Sequence, residues 1–190
     1  MTIFRMFHPL ELANNGMFVI IESAYIVEGV KRLIGKRRPL GRSLKDIQVG
    51  DTCNRKAKIN DRDLLLYLGL TNDANPLYLQ HDYASLTPYK RPIVPSVMLY
   101  GMVSSLVSME LPGPGSHIVH HEMIFPRAVY HNTEVDMMLE VIAIDESSKR
   151  LAMNVTAKDE EGEIVLNGKL YVTPAHKPNT LTAQSLENFF

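Results

Sequence analysis

Three things are scarce in this chain of 190 residues: cysteine, net charge and long apolar runs. Its one cysteine, Cys53, cannot form an internal disulfide, so we expect a reducing, cytoplasmic compartment. A formal net charge of −1 argues against a protein that binds nucleic acid as a whole. The apolar run that starts at Met17 ends at Glu22, well short of the roughly eighteen residues typical of a membrane span. Neither a membrane span nor a secretory signal is therefore predicted.

Charge is distributed unevenly between the start of the chain and the rest. Residues 1–50 contain eight basic and four acidic side chains, which leaves the remainder negative. This shift predicts a boundary between residues 38 and 50. We expect an amphipathic helical extension over residues 1–42, a main domain over residues 43–174 and a polar tail over residues 175–190.

The extension has the apolar periodicity of a helix over residues 16–34, with Gly35 in the position of a C-cap. The apolar stripe is broad, which favours packing on a core or a partner chain over contact with a membrane surface. A basic run follows over residues 36–38. It is typical of a solvated face, and the alternative is a contact with ligand phosphates or an acidic carrier protein.

The main domain combines helices with later strands, which predicts an α+β fold. A strand is expected over residues 52–59, and a helix capped by Asn60 or Asp61 follows it. The longest helix predicted in the main domain covers residues 94–109 and is mostly apolar. After residue 116 the period changes to that of strands joined by acidic turns. The four strands predicted there are His117–Phe125, Glu134–Ile144, Leu151–Lys158 and Ile164–Thr173.

The helix capped by Asn60 or Asp61 is followed by the loop Asn72-Asp73-Ala74-Asn75-Pro76-Leu77-Tyr78. It resembles the motif Asp-x-Asn-Pro-x-His of the MaoC-like, (R)-specific enoyl-CoA hydratases. Asp73 occupies the Asp position of the motif, and Tyr78 stands where the family has His.

The resemblance extends from about Ser43 to Pro174. Five further segments look like the family's in order and spacing: residues 83–88, 91–99 and 111–116, and the strand end and hairpin at 125–130 and 162–168. The family's His-Gly at the start of the central helix is Pro95-Ser96 here.

The resemblance implies a hot-dog fold, in which an antiparallel sheet wraps a long central helix. It also implies a dimer, homomeric or with another hot-dog subunit, and an acyl thioester of coenzyme A or acyl carrier protein as the ligand. The family acts in fatty acid metabolism. The resemblance implies a reaction without a cofactor, and no metal is expected.

In this family the Asp and His position water and exchange protons, and backbone N–H groups at the helix start hold the thioester oxygen. The resemblance therefore implies Asp73 as the principal acid–base group and Tyr78 as an auxiliary donor. It implies the N–H groups of Ser96 and Val97 as the oxyanion hole. Asn75 and Pro76 are expected to shape the loop. Taken alone, Asp73 is more typical of a residue that caps a turn, and Tyr78 of an aromatic side chain that fills the space of the missing His.

Three function classes remain open on the sequence. The first is a hydratase or dehydratase, the second a hot-dog subunit that binds thioesters and stabilises a catalytic partner, and the third a membrane-surface acyl sensor. His81 could supply an imidazole if the loop rearranged. On a regular strand His117 and His121 would share one face, and His120 and Glu122 the other, but the spacing fits no specific metal signature.

Overall fold

The computed structural model describes residues 39–176. The helix expected over residues 16–34, the basic run over 36–38 and most of the C-terminal tail lie outside this range. Within it, the secondary structure matches the predicted elements, with ends shifted by a few residues. In chain order there are a 3-10 helix (Leu44–Asp46), β1 (Thr52–Lys58), α1 (Asp61–Thr71), α2 (Pro76–Leu79), α3 (His81–Ser85), α4 (Ser96–Met109), β2 (His117–Ile124), β3 (Glu134–Asp145), β4 (Arg150–Lys158) and β5 (Ile164–Thr173).

The five strands form one antiparallel sheet in the order β1-β3-β4-β5-β2. Both predicted acidic turns are present. At the first, Asp145 accepts hydrogen bonds from Ser147 and Ser148, and these lower the pKa of its carboxyl from the ordinary value. At the second, Asp159 Oδ1 accepts from the N–H groups of Glu161 and Glu163 at 3.0 and 2.9 Å. Local hydrogen bonds of this kind fix the hairpins.

The core lies between α4 and one face of the sheet. The helix buries Leu99, Val103, Leu106 and Val107, which follow the spacing of one helical face. Alternate residues of β3 and β4 are buried opposite: Val135, Met137, Leu139, Val141, Leu151, Met153, Val155 and Ala157. No polar or charged side chain in residues 39–176 is buried. The α+β prediction is confirmed, and one long helix against an antiparallel sheet is the hot-dog arrangement.

Gly168 marks the closest approach of two strands. It pairs with Met123 across β5 and β2, and a Cβ at this position would lie 2.0 Å from the carbonyl oxygen of Glu122. Only glycine fits here without moving the backbone of β2.

In the part of the chain that the structure describes, no helix has the length and apolar character needed to cross a membrane.

Candidate active site

The motif loop is held by hydrogen bonds between its own side chains and backbone. Asp73 Oδ1 accepts from the N–H of Asn75 at 3.0 Å, and Asn75 Oδ1 accepts from the N–H of Leu77 at 3.0 Å. Pro76 occupies the first turn of α2, where its missing N–H and fixed φ suit a helix start. The loop is therefore shaped by Asp73, Asn75 and Pro76 together.

Only one oxygen of Asp73 takes part in this turn. Its Oδ2 has no hydrogen-bond partner within residues 39–176, and the side chain is half-buried. The turn orients the carboxylate through Oδ1 and leaves Oδ2 available to a ligand or water. A role in capping the turn and a role in proton transfer are thus compatible in the same side chain.

The loop lies against the segment that leads into α4. The N–H of Ile93 donates to the carbonyl of Leu77 at 3.2 Å, and Ile93 also forms a β-bridge with Tyr130. Since Ser96 begins α4 only three residues after Ile93, at most about 11 Å of chain separates them. The motif loop and the N-terminus of α4 therefore lie at the same end of the domain.

The start of α4 differs in one respect from the sequence prediction. Pro95 is the N-cap residue and not part of the first turn, and its carbonyl accepts from the N–H of Met98 at 3.0 Å. The missing donor of proline therefore falls before the helix. The N–H groups of Ser96 and Val97 have no acceptor within residues 39–176, and both residues are exposed. Unpaired donors and the helix dipole favour a negatively charged oxygen at this point.

Tyr78 follows the loop in α2 and is half-buried. Its N–H donates to the carbonyl of Asn75 at 3.0 Å, and its hydroxyl has no partner among the residues described. The hydroxyl is thus available as a donor. His81, the alternative source of an imidazole, is the first residue of α3 and is exposed.

Tyr100 on α4 and His121 on β2 form a polar pair near the start of the helix. The hydroxyl of Tyr100 and Nδ1 of His121 on β2 are 3.2 Å apart, and the two rings are stacked with centroids 4.4 Å apart. Partial burial raises the pKa of Tyr100 above its ordinary value. Tyr100 also lines a cleft of about 330 Å³ together with Ser104, Val107, Ser108, Ser116, His117 and Ile118.

The histidines of β2 do not alternate as the regular strand predicts. A register shift between Ile118 and His120 pairs His117 with Thr173 and His121 with Leu170, which lie on opposite faces of β5. The prediction that His117 and His121 share a face is therefore wrong.

His120 and Glu122 do share a face, with His120 Nε2 and Glu122 Oε1 3.5 Å apart. Residues 39–176 contain no group of three or more metal-ligating side chains arranged to hold an ion.

Two arginines line another cleft of about 390 Å³ beside the segment that pairs with Ile93. Arg127 forms an ion pair with Glu163, with 3.0 Å between Nη1 and Oε2. This contact gives Arg127 a structural role. The guanidinium of Arg91 lies 3.9 Å from the ring centroid of Tyr130.

Cys53 lies in β1 and packs against the core. Burial, with a smaller contribution from the nearby Glu110 carboxylate, raises the pKa of its thiol to about 11, and Arg55 acts in the opposite direction. A thiol that stays protonated is a poor nucleophile. This environment fits a structural role for Cys53.

Comparison with known proteins adds the family to this geometry. The protein-family model described as MaoC like domain matches residues 46–163, which is more than half of the chain. The chain belongs to the MaoC-like domain family. The matched range contains the motif loop, all of α4 and most of the sheet.

One similar sequence and one similar solved structure, both from Aeromonas caviae, are named as hydratases. An (R)-specific enoyl-CoA hydratase of Aeromonas caviae is 26% identical over 130 residues, which are 68% of this chain and 97% of that protein. The solved structure titled as the (R)-hydratase from A. caviae involved in PHA biosynthesis superposes with a TM-score of 0.66 at 25% identity, over 68% of this chain and 98% of that one.

A second similar structure is that of a complex of two proteins. A chain of the ChsH1–ChsH2 complex from Mycobacterium tuberculosis superposes with a TM-score of 0.61 at 17% identity, covering 67% of this chain and 98% of that one. At this identity the likeness shows the fold alone.

The sequence of this MaoC-like domain predicts the loop and the helix start as the site, but it does not predict the contact between Tyr100 and His121. Two signals bear on it: Tyr100 is four residues after Ser96, and β2 is rich in histidine. Neither signal predicts that the irregularity in β2 leaves His121 facing the helix.

Proposed function

We propose that this protein is a hydratase or dehydratase of acyl thioesters, carried on coenzyme A or on acyl carrier protein. The observation that carries the proposal is the free Oδ2 of Asp73, held by a rigid loop at the same end of the domain as the unpaired N–H groups of Ser96 and Val97. A carboxylate and an oxyanion-binding helix start are two of the groups that hydration of an enoyl thioester requires.

In the proposed reaction Asp73 takes a proton from water as the water oxygen attacks the β-carbon of the enoyl group. The electrons move to the thioester oxygen, which accepts hydrogen bonds from the N–H groups of Ser96 and Val97. As the enolate collapses, the α-carbon takes up a proton, and Asp73 releases its proton to solvent. Tyr78 donates a hydrogen bond to the water or the carbonyl. Dehydration is the same sequence in reverse.

The test is steady-state hydration of crotonyl-CoA by the native protein and by Asp73→Asn. The variant keeps an oxygen for the turn but cannot accept the proton, so we expect kcat to fall by about 10²-fold or more while the fold is unchanged. Asp82→Asn is the matched control, because Asp82 lies in the exposed first turn of α3, and it should retain native activity. Equal rates for native protein and Asp73→Asn would refute the role of Asp73.

A second proposal is a hot-dog subunit that binds thioesters and stabilises a catalytic partner without catalysing hydration. The substitutions at Tyr78 and at Pro95-Ser96 favour it, because both fall at the expected reaction centre. The strand order also leaves β1 and β2 as the edges of the sheet, where a second subunit could pair.

The two proposals differ in their assembly and in their response to mutation. The enzyme is expected to form an active dimer on its own, as measured by light scattering coupled to size-exclusion chromatography. The partner subunit is expected to aggregate or remain inactive alone and to gain stability on co-expression with a hot-dog chain that has the intact Asp-x-Asn-Pro-x-His motif. A stable and active homodimer would refute the partner proposal.

A further inference from the structure

The Tyr100–His121 pair lies one helical turn beyond the proposed oxyanion site. Residues four apart on a helix share a face and differ by about 6 Å along the axis, so the side chain of Tyr100 lies on the face of α4 that begins with Ser96. The hydroxyl of Tyr100 is held by Nδ1 of His121 at 3.2 Å and by stacking of the two rings. The hydroxyl of Tyr100 is therefore oriented toward His121, which is exposed on β2.

The same face continues as a cleft. Ser104 and Ser108 follow Tyr100 at the same four-residue spacing, and with Ser116 and Ile118 they line the space of about 330 Å³. A thioester whose carbonyl oxygen binds at Ser96 and Val97 can therefore extend its acyl chain along α4. The carbons next to the carbonyl then pass Tyr100 before the chain reaches the serines.

We propose that Tyr100, with His121 as its positioning residue, supplies the second acid–base function that Tyr78 lacks at the family's His position. This inference rests on the proposed hydratase function. It assigns Tyr100 as a catalytic residue that touches the substrate. His121 acts on the substrate only through Tyr100.

The proton balance of hydration is complete with these groups. Water gives its hydroxide to the β-carbon and its proton to Asp73, and the π electrons move to the thioester oxygen. As the enolate collapses, a new C–H bond forms at the α-carbon with the proton of the Tyr100 hydroxyl. His121 in its protonated form returns a proton to Tyr100 through Nδ1. Solvent then takes the proton from Asp73 and restores the one on His121, so no proton is gained or lost.

The two side chains carry the chemistry that this role requires. A tyrosine hydroxyl donates a hydrogen bond, and an imidazole nitrogen can either accept from or donate to that hydroxyl. The geometry supports the role, because the hydroxyl of Tyr100 lies 3.2 Å from Nδ1 of His121 and Tyr100 lines the cleft that continues along α4.

The neighbouring histidine provides a matched control. His120 lies on the other face of the sheet, where it contacts Tyr171 at a centroid distance of 5.6 Å and approaches Glu122. The experiment compares kcat and KM for hydration of crotonyl-CoA in the native protein and in Tyr100→Phe, His121→Gln, His121→Ala and His120→Ala. Thermal unfolding followed by circular dichroism establishes that each variant is folded.

We expect kcat to fall by about 10²-fold in Tyr100→Phe, His121→Gln and His121→Ala, with KM little changed, because proton transfer and not binding is lost. His120→Ala should match the native protein. Added imidazole should restore part of kcat to His121→Ala, which has the space to bind it, and not to Tyr100→Phe.

Three outcomes would overturn the inference. Native kcat in Tyr100→Phe or in His121→Gln excludes a proton-transfer role. A folded His121→Ala variant that imidazole does not restore assigns His121 to structure alone. If Asp73→Asn is inactive while the variants of the pair remain active, this inference fails and the proposed function stands. If the native protein itself does not hydrate crotonyl-CoA, both fail.

Discussion

The core and the candidate active site of this protein use their residues in opposite ways. In the core, α4 and the sheet bury only apolar side chains, and Leu106 is completely buried. At the motif loop and the start of α4, polar groups such as Oδ2 of Asp73 and the N–H of Val97 have no partner within residues 39–176. Many mutually supporting contacts thus determine the scaffold, whereas the free groups of the site are left to water or a ligand. The proposed function requires this property of them.

The largest expected effect comes from breaking the core side of this comparison. Leu106→Ala removes three side-chain carbons from a fully buried position and should lower the free energy of unfolding by about 2–5 kcal/mol. Urea denaturation measures this. The same substitution at Leu70, which is 87% exposed on α1, is the matched control and should stay within about 0.5 kcal/mol of the native protein.

The site side of the comparison predicts the reverse pattern. Asp73→Asn should change the unfolding free energy by no more than about 0.5–1 kcal/mol, while it removes activity. A loss of stability as large as that of Leu106→Ala would show that Asp73 belongs to the scaffold.

An intermediate effect is expected where two strands approach each other. Gly168→Ala forces a Cβ against the carbonyl of Glu122, so β2 must move away from β5, and a loss of about 1–3 kcal/mol is expected. Gly69→Ala is the control, because nothing lies within 4 Å of a Cβ at this helical position. It should stabilise the protein by about 0.5–1 kcal/mol through helix propensity. Equal effects of the two substitutions in urea denaturation would contradict the packing described for Gly168.

The sequence predicted these two regions to different depths. The alternation of Leu151, Met153 and Val155 and the spacing of Leu99, Val103 and Leu106 were sufficient for the strands and the central helix, because periodicity reflects burial directly. The roles of Asp73 and Tyr78 came only from the resemblance, since a local pattern does not report which oxygen is used by a turn.

Two details of the site were beyond local patterns. Pro95 caps α4 from outside the helix, so the helix begins two residues later than predicted, a difference that is common at helix ends. The register shift in β2 places His121 against Tyr100, and such a bulge depends on the pairing with β5. Tertiary pairing therefore decides which histidine faces the central helix.

The smallest expected effect concerns Cys53. Because the pKa of its thiol is raised to about 11, very little thiolate is present at pH 8, and iodoacetamide should react with the folded protein far more slowly than with free cysteine. Unfolding in urea should restore the ordinary rate, which serves as the internal control. A folded-state rate equal to that of free cysteine would mean that Cys53 is not buried beside Glu110.

The most direct test of the account is the hydration of crotonyl-CoA by the native protein beside Tyr78→His. If Asp73, the N–H groups of Ser96 and Val97 and the Tyr100–His121 pair form a working site, the native protein is active. The histidine introduced at position 78 is then not required for activity. An inactive native protein that gains activity on Tyr78→His would contradict this account and support the binding subunit, with a pocket that has lost only its histidine.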